Sequence, residues 1–170
     1  RGLPNFIYVM GFTVRSVIER IDNIAPDDVY IVNDPYLGGT HLMDVKMVKP
    51  FFYNGRLTAF LANSGHWPDI GGRVPGGFSS RATEIYQEGL QLPPLRLFDR
   101  GKLNREVLAI ILHNVRVSRE RQGDIIAQVT SLNVGAERLT RLLDRYGADT
   151  VFGAVDEMAV RSERLMRSHI

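Results

Sequence analysis

The sequence contains no cysteine among its 170 residues. This absence excludes disulfide bridges, thiolate nucleophiles and cysteine-ligated zinc or iron–sulfur centres. A metal ion bound by this chain would therefore have to use histidine, carboxylate or water as ligands. A long hydrophobic run is also absent, since the longest aliphatic stretch is Val107 to Leu112, far too short to cross a bilayer. Because no leader-like segment opens the chain, we expect a soluble cytoplasmic protein without a membrane partner.

Several nucleotide-binding and catalytic motifs are missing as well. The chain has no GxxxxGK[ST] loop, because its Gly101-Lys102 pair is followed by Leu103 and lacks the earlier glycine. It also lacks a GxGxxG turn after a strand, HExxH and GxSxG. A phosphate-dependent step would therefore need a partner chain. An excess of one charge is absent too, since 21 basic and 19 acidic residues leave a net charge of +2, so nucleic acid is a poor candidate partner.

The distribution of glycine and helical periodicity indicates an α+β fold. Of the 16 glycines, 9 lie between Gly38 and Gly89, which marks the centre as turns and loops. Helical spacing predicts helices over Met10–Ile21 and Asn104–Val115, and a heptad-like stripe runs from Ile125 to Tyr146 before Gly147 interrupts it. We expect a central antiparallel β-hairpin and Gly/Pro-rich loops, flanked by an N-terminal helix and a C-terminal helical hairpin. The predicted domains are a metal-site core over residues 1–123 and the hairpin packed on it over residues 124–170.

The hairpin itself has the clearest local signal. A short strand is predicted at Val29–Val32, and two further β-prone runs, Lys46–Tyr53 and Arg56–Asn63, flank Asn54-Gly55. Asn-Gly is the favoured pair for a two-residue type I′ hairpin turn. The loop of residues 65–77 that follows is too rich in glycine and proline for a helix or a central strand.

The register of this hairpin brings three metal-binding side chains together. Counting outward from the turn, Asp44 faces Gly65 and Met43 faces His66, so that His66 is diagonal to Asp44. Diagonal partners are roughly 7 to 8 Å apart, and a one-residue bulge near Pro50 would place His66 directly opposite Asp44. His41 lies three residues before Asp44. The base of the hairpin is therefore predicted to gather the three residues.

Two neutral imidazoles and a carboxylate form a three-ligand set with open positions, which is typical of a reactive metal site. The alternative is that these loop residues cap turns or face water, as histidine and aspartate in loops commonly do. Asp34 likewise has two possible roles. It either bonds its own backbone in a turn or orients a ligand imidazole.

Carboxylates, aromatics and arginines near the loops give further candidates. Glu84 and Glu88 are candidate general acids or bases, although a helix that starts near Thr83 would equally explain two acidic residues in its first turn. Two aromatic residues could line an apolar pocket or simply pack in the core, and three arginines form either a solvated face or an anion clamp. These residues are Trp67, Phe78, Arg116, Arg119 and Arg121.

Five ordered blocks give the centre a resemblance to a known family. They are NDPYLGGTHLMD from Asn33, GHWPDIGG from Gly65, PGG from Pro75, ATEIYQEGL from Ala82 and LPP from Leu92. Over about 100 residues they resemble the hydantoinase B/oxoprolinase family. This family includes B subunits of ATP-dependent hydantoinases, 5-oxoprolinases and lactamases, and subunits of acetone and acetophenone carboxylases. Its chains are several times longer, so the resemblance implies a fragment of a larger subunit.

The resemblance also implies chemistry. In relatives, the matching residues His41, Asp44 and His66 hold a divalent metal, here zinc, manganese or iron. A partner A-type ATPase subunit binds ATP and phosphorylates the carbonyl oxygen of a cyclic amide, so a hetero-oligomer is expected. Glu84, Glu88 and Asp69 are then the candidate catalytic carboxylates. The expected activity is metal-dependent opening of a hydantoin, 5-oxoproline or lactam ring, and the fragment alone is not expected to be active.

Three other functions remain open at this point. The same triad fits a subunit of an ATP-dependent carboxylase that acts on a ketone. The heptad-like stripe instead fits a non-catalytic assembly fragment, whose alternative is ordinary packing within the chain. An iron oxygenase is suggested by two histidines and one carboxylate, but the carboxylase-like blocks and the spacing of His41 and Asp44 argue against it.

Overall fold

The computed structural model describes residues 4–77 and 79–169. Within these residues the elements follow in the order α1 (Pro4–Arg20), β1 (Val29–Val32), β2 (Asp44–Tyr53), β3 (Arg56–His66), β4 (Leu95–Asp99), β5 (Lys102–Leu103), α2 (Arg105–Asn114), α3 (Ser118–Tyr146) and α4 (Ala148–Arg167). Short 3-10 helices cover Pro35–Leu37 and Ile85–Gln87. The predicted α+β class is confirmed, with its N-terminal helix, central antiparallel hairpin and C-terminal helical hairpin. No described helix is long and apolar enough to span a membrane.

The strands form one antiparallel sheet in the order β3-β2-β1-β4-β5. The central strand β1 is buried along all four of its residues. The pairing of β4 with β5 was not among the predicted elements. Its turn, Arg100-Gly101, has positive φ at both residues, 48° and 79°, which is the same backbone signature as Asn54-Gly55.

Both faces of the sheet are covered by apolar side chains. Alternate residues of β1 point to opposite faces, so Ile31 and Tyr30 belong to different clusters. The larger cluster joins the sheet to α2 and the first half of α3 through buried residues that include Val45, Met47, Trp67, Ile111, Ile125 and Leu132. The smaller one joins it to α1 through Val17, Tyr30 and Val48. The sheet is therefore the middle layer of three. Helix α2 and the first half of α3 pack on one face, and α1 packs on the other.

The Asn54-Gly55 turn is confirmed by its backbone, with φ of 51° and 75° at the two residues. Both strands run further than predicted: β2 begins at Asp44, and β3 continues to His66. Gly65 lies in the added part of β3. A Cβ on this residue would lie 2.6 Å from Oε1 of Gln128, so glycine lets the glutamine of α3 approach the strand.

The chain divides into two compact units, and the division falls within α3 between residues 133 and 134. The second unit is helical, with the end of α3 followed by α4 after Gly147, whose φ is 81°. Exposed i,i+4 ion pairs such as Glu157 with Arg161 lie along it, and such pairs contribute little to stability. The domain boundary expected between residues 123 and 124, and the packing of the hairpin on the core, stay predictions.

A buried asparagine, Asn33, fixes the loops that follow β1. Its side-chain nitrogen donates to the carbonyl oxygens of Leu42 and Leu90 at 2.7 and 2.9 Å, and its Oδ1 accepts from the Leu92 N–H at 2.6 Å. The side chain is fully buried. One amide therefore ties the end of β1 to two other backbone segments, at Leu42 and at Leu90–Leu92. Unsatisfied polar groups buried there would be costly.

We expect Asn33→Asp to lower the free energy of unfolding by about 2 to 4 kcal/mol. The substitution keeps the acceptor for Leu92 but replaces the two donated hydrogen bonds with a carboxylate oxygen that faces carbonyl oxygens. Urea denaturation measures the change. Asn133→Asp, at an exposed position of α3, is the matched control, and equal stability of the two variants would contradict the bracing role.

Candidate metal centre

The loop before β2 is shaped by Asp34 and by contact with α1. Asp34 caps the 3-10 helix Pro35–Leu37, since its Oδ1 accepts the Tyr36 N–H at 2.9 Å. Asp34 was predicted either to bond its own backbone in a turn or to orient a ligand imidazole, and this bond corresponds to the first role. Gly38 has φ of 89°, and a Cβ there would lie 2.7 Å from the Thr13 backbone. The Thr13 hydroxyl donates to the Gly38 carbonyl oxygen, so α1 anchors the loop that carries His41.

The hairpin register contains the bulge that the sequence suggested. Phe51 pairs with Ala59 and Phe52 pairs with Leu57, which leaves one extra residue in β3. From that point inward the register is shifted by one, and Asp44 lies directly opposite His66. Directly opposed residues point to the same face of a sheet. The bulge therefore puts these two side chains side by side.

His41, Asp44 and His66 converge at the end of the sheet. His41 Nε2 lies 3.2 Å from Oδ2 of Asp44, and His66 Nδ1 lies 3.0 Å from its Oδ1. The two imidazole rings are edge to face, with centroids 5.2 Å apart. One donor atom from each of the three residues lies within 4.8 Å of the others. The side chains of both histidines are about half exposed, whereas that of Asp44 is buried.

The electrostatics of the centre favour an ionised carboxylate. Burial opposes ionisation of Asp44, but hydrogen bonds from Thr40 and His66 and the nearby charges of His41 and Lys46 outweigh it, and the pKa of Asp44 is held below its usual value. Burial lowers the pKa of Lys46 to about 8, although Asp44 opposes that shift. At neutral pH the centre thus combines a carboxylate, a neighbouring ammonium and two imidazoles.

The donor set fits a divalent metal ion. The chain offers two nitrogen ligands and one anionic oxygen, already gathered by the fold, and solvent has access through the exposed imidazoles. Such a set suits zinc, manganese or iron and leaves coordination positions for water or substrate. The prediction from hairpin register is consistent with this arrangement, and metal binding itself stays a proposal.

A cleft of about 460 Å³ opens beside His41. Glu84 and Glu88 both line it, together with Tyr36 and Thr40. The two glutamates are exposed, so they remain available to a bound molecule. The fold therefore brings two of the three predicted catalytic carboxylates to the same cleft as one predicted ligand.

The helix expected to start at Thr83 does not form. Only the three-residue 3-10 helix Ile85–Gln87 is present, without a side-chain cap, and the Thr83 N–H donates to Oε1 of Gln87 instead. Gly89 then takes a φ of 145°, a conformation open to glycine, and ends the helical turn. The helix-start explanation for Glu84 and Glu88 is therefore wrong.

Asp69, the third predicted catalytic carboxylate, holds a loop. Its carboxylate accepts the N–H groups of Gly71, Gly76 and Arg116 and a further bond from the Arg116 guanidinium at 3.1 Å. Burial opposes ionisation, but these hydrogen bonds outweigh it and lower the pKa of Asp69 to about 2. Its described bonds favour a structural role, so a catalytic one stays a prediction.

The aromatic and arginine candidates have separate places. Trp67 is buried in the core, where its Nε1 donates to Gln128 Oε1 at 3.0 Å, which favours the packing role. Phe78 lies outside the described residues. Arg116 clamps the loop through Asp69 and Gly72, and Arg121 pairs with Asp124. Arg116 and Arg121 thus have intrachain partners, and an anion clamp formed by the three arginines stays a prediction.

Sequence reasoning missed Thr40 and Lys46. Lys46 is fully buried and donates to Thr40 Oγ1 at 2.9 Å, and Thr40 donates to Oδ2 of Asp44 at 2.6 Å. A signal was present for Lys46, because residues two apart on a strand share a face. Nothing in the sequence alone marked it as buried, since lysine is rarely so.

We expect Asp69→Asn to destabilise the chain by about 2 kcal/mol near pH 6. An ionised Asp69 stabilises the fold above its ordinary pKa near 3.8, and this contribution is lost as the pH falls through about 2. The stability difference between the parent and the variant should therefore narrow between about pH 4 and pH 2. Urea denaturation at each pH measures it, with the exposed Asp156→Asn as control. A difference that does not depend on pH would contradict the assignment.

Comparisons with known proteins cover the whole chain. The family model described as hydantoinase B/oxoprolinase matches residues 1–170. An uncharacterized protein of Methanocaldococcus jannaschii is 41% identical over 99% of this chain and 31% of its own length. The caprolactamase beta subunit of Pseudomonas jessenii is 42% identical over 86% of this chain and 25% of its own length.

A solved structure agrees with these relatives. The crystal structure of the ATP-dependent caprolactamase from Pseudomonas jessenii matches with a TM-score of 0.86 and 39% identity, over 98% of this chain and 28% of that one. The chain thus spans between about a quarter and a third of the length of these proteins. It belongs to the hydantoinase B/oxoprolinase family.

Proposed function

We propose that this chain carries the metal-binding part of an ATP-dependent hydrolase subunit that opens cyclic amides. The observation that carries the proposal is the convergence of His41, Asp44 and His66 beside a cleft lined by two glutamates. The likeness to a caprolactamase subunit supports a lactam as the substrate class, and membership of the hydantoinase B/oxoprolinase family supports a hydantoin or 5-oxoproline as well. Because the chain spans only part of its relatives, the activity is proposed for the complete subunit.

The need for ATP follows from the chemistry of the substrate. Amide resonance makes a lactam carbonyl a poor electrophile, and a phosphoryl group on the carbonyl oxygen removes that resonance. Water can then add to the carbon, the C–N bond breaks as the nitrogen gains a proton, and a second water releases phosphate. The sequence has no phosphate-binding loop of the GxxxxGK[ST] type. We therefore propose an A-type ATPase subunit as the partner in a cytoplasmic hetero-oligomer.

The three ligands have distinct tasks in this scheme. His41 and His66 supply neutral nitrogen donors, and buried Asp44 supplies the negative charge that holds a divalent ion of zinc, manganese or iron. When bound, such an ion stabilises negative charge on oxygen and favours the ionised form of water. Both imidazoles are half exposed, and His41 lines the cleft, so the site is accessible from that side.

The position of Glu84 and Glu88 on the cleft wall supports a role in proton transfer. A carboxylate at the cleft wall can accept a proton from attacking water and return it to the departing ring nitrogen. Both glutamates are exposed, and the one described side-chain contact of Glu84 is a long hydrogen bond that its Oε1 accepts from Gln87 at 3.5 Å. We propose that at least one of them acts as the general acid and base.

We expect His41→Ala, His66→Ala and Asp44→Asn, each in the complete subunit, to lose bound metal and ATP-dependent lactam hydrolysis together. Each change removes one of three ligands. Metal analysis of each purified variant measures the bound metal. Release of the amine product in the presence of ATP and the copurified partner subunit measures the hydrolysis. His113→Ala is the matched control, because His113 lies exposed on α2 and bonds the Ala109 carbonyl oxygen.

Two outcomes would contradict the proposal. Unchanged stoichiometric metal in all three variants would remove these residues as ligands. Bicarbonate-dependent consumption of a ketone by the parent complex, with no turnover of lactams, hydantoins or 5-oxoproline, would replace hydrolysis by carboxylation at the same site.

We expect Glu84→Gln or Glu88→Gln to lower kcat by about 10²- to 10⁴-fold while metal content stays that of the parent. Glutamine keeps the size of the side chain but cannot accept the proton. Steady-state kinetics of the reconstituted complex measures the change, and Glu120→Gln, at an exposed position of α3, is the control. Parent kcat in both variants would contradict the general acid and base role.

A further inference from the structure

A buried lysine is linked to the centre through a threonine. Lys46 follows Asp44 by two residues on β2, shares its face of the sheet and is fully buried. Its ammonium donates to Thr40 Oγ1 at 2.9 Å, and the Thr40 hydroxyl donates to Asp44 Oδ2 at 2.6 Å. Burying an ammonium group costs free energy unless the group is paired and hydrogen-bonded. The presence of Lys46 beside the three candidate ligands therefore requires an explanation.

The direction of this chain of hydrogen bonds is fixed by its first member. An ammonium group has donors and no acceptor. The Thr40 oxygen must therefore accept from Lys46, and its single proton is left for Asp44. A threonine hydroxyl rotates to suit its partners, and here Lys46 removes that freedom.

The consequence falls on Asp44. The terminal torsion of an aspartate side chain is broad, so its two oxygens are not oriented by the backbone alone. In this structure Oδ2 is held by Thr40, and Oδ1 faces His66. We propose that Thr40 and Lys46 are positioning residues, which orient the Asp44 carboxylate as a metal ligand between the two histidines. The inference rests on the proposed metal site and adds two residues outside the ligand set.

Thr40 provides the direct test, with Mn²⁺ as the probe. In the complete subunit we expect Thr40→Val to weaken Mn²⁺ binding by about 10- to 100-fold, whereas Thr40→Ser, which keeps the hydroxyl, binds like the parent. Electron paramagnetic resonance of free Mn²⁺ gives the dissociation constant, and the visible spectrum of bound Co²⁺ reports the ligand geometry. A merely structural threonine would change thermal stability and leave both readouts at their parent values.

A substitution of Lys46 distinguishes a positioning role from an effect of its charge. Removing a cation beside a cation site would by itself tighten Mn²⁺ binding. We expect Lys46→Met to weaken binding in the parent, because the Thr40 hydroxyl loses its fixed direction, and not to weaken it further in the Thr40→Val background. Circular dichroism establishes that each variant is folded, and the valine and serine pair decides the question if Lys46→Met does not fold.

The outcomes are distinguishable. Parent-like Mn²⁺ affinity of Thr40→Val overturns the positioning role and leaves the metal site standing. Tighter Mn²⁺ binding by Lys46→Met would mean that Lys46 acts on the site only through its charge, and it would overturn the positioning role of Lys46. A parent that binds no Mn²⁺, Zn²⁺ or Fe²⁺ stoichiometrically overturns the proposed function and this inference together.

Discussion

The pairing of β2 with β3 is the constraint on which the centre depends. Without the bulge beside Phe51, Asp44 would face Gly65, and His66 would point to the other face of the sheet, because a slip of one residue moves every side chain to the opposite side. The register is held from that other face by α3. Gln128 donates to the Val45 carbonyl oxygen and to Asn63, and Asn63 donates back to the Gln128 carbonyl oxygen. Strand pairing and helix packing therefore specify the same register.

Three buried polar residues of the first unit, Asn33, Asp69 and Asp44, differ in the kind of partner that they bond. Asn33 and Asp69 bond mainly to backbone groups of loops, and their work is complete without any ligand. Asp44 bonds to side chains that can themselves move or bind, namely Thr40 and the two imidazoles. Buried carboxylates with backbone partners brace a fold, whereas one surrounded by titratable side chains is typical of a functional site.

Local chemistry decided how much of this could be predicted from the sequence. The Asn54-Gly55 turn requires positive φ at both residues, so the hairpin followed from a dipeptide. The dipeptide alone pairs Asp44 with Gly65, and the bulge beside Phe51 is what places His66 opposite Asp44. The β1–β4 pairing and the burial of Lys46 depend on segments far apart in sequence, and no short pattern encodes them. The segment after Thr83 misled for the opposite reason: its capping signal is local, but Gly89 and the packing of the loop override it.

The charges of the residues in the centre determine how strongly a bound metal ion would act on the substrate in the proposed reaction. Lys46 offsets the charge of Asp44 at neutral pH, and the histidines are neutral ligands when they bind a metal. A divalent ion held there would therefore keep most of its charge for an oxygen atom of the substrate, as polarisation of a carbonyl or phosphoryl group requires. The glutamates lie at the cleft wall rather than among the ligands. In the proposed reaction their negative charge is left for proton transfer, and the ion that would bind the substrate oxygen is separate from the carboxylates that would move protons.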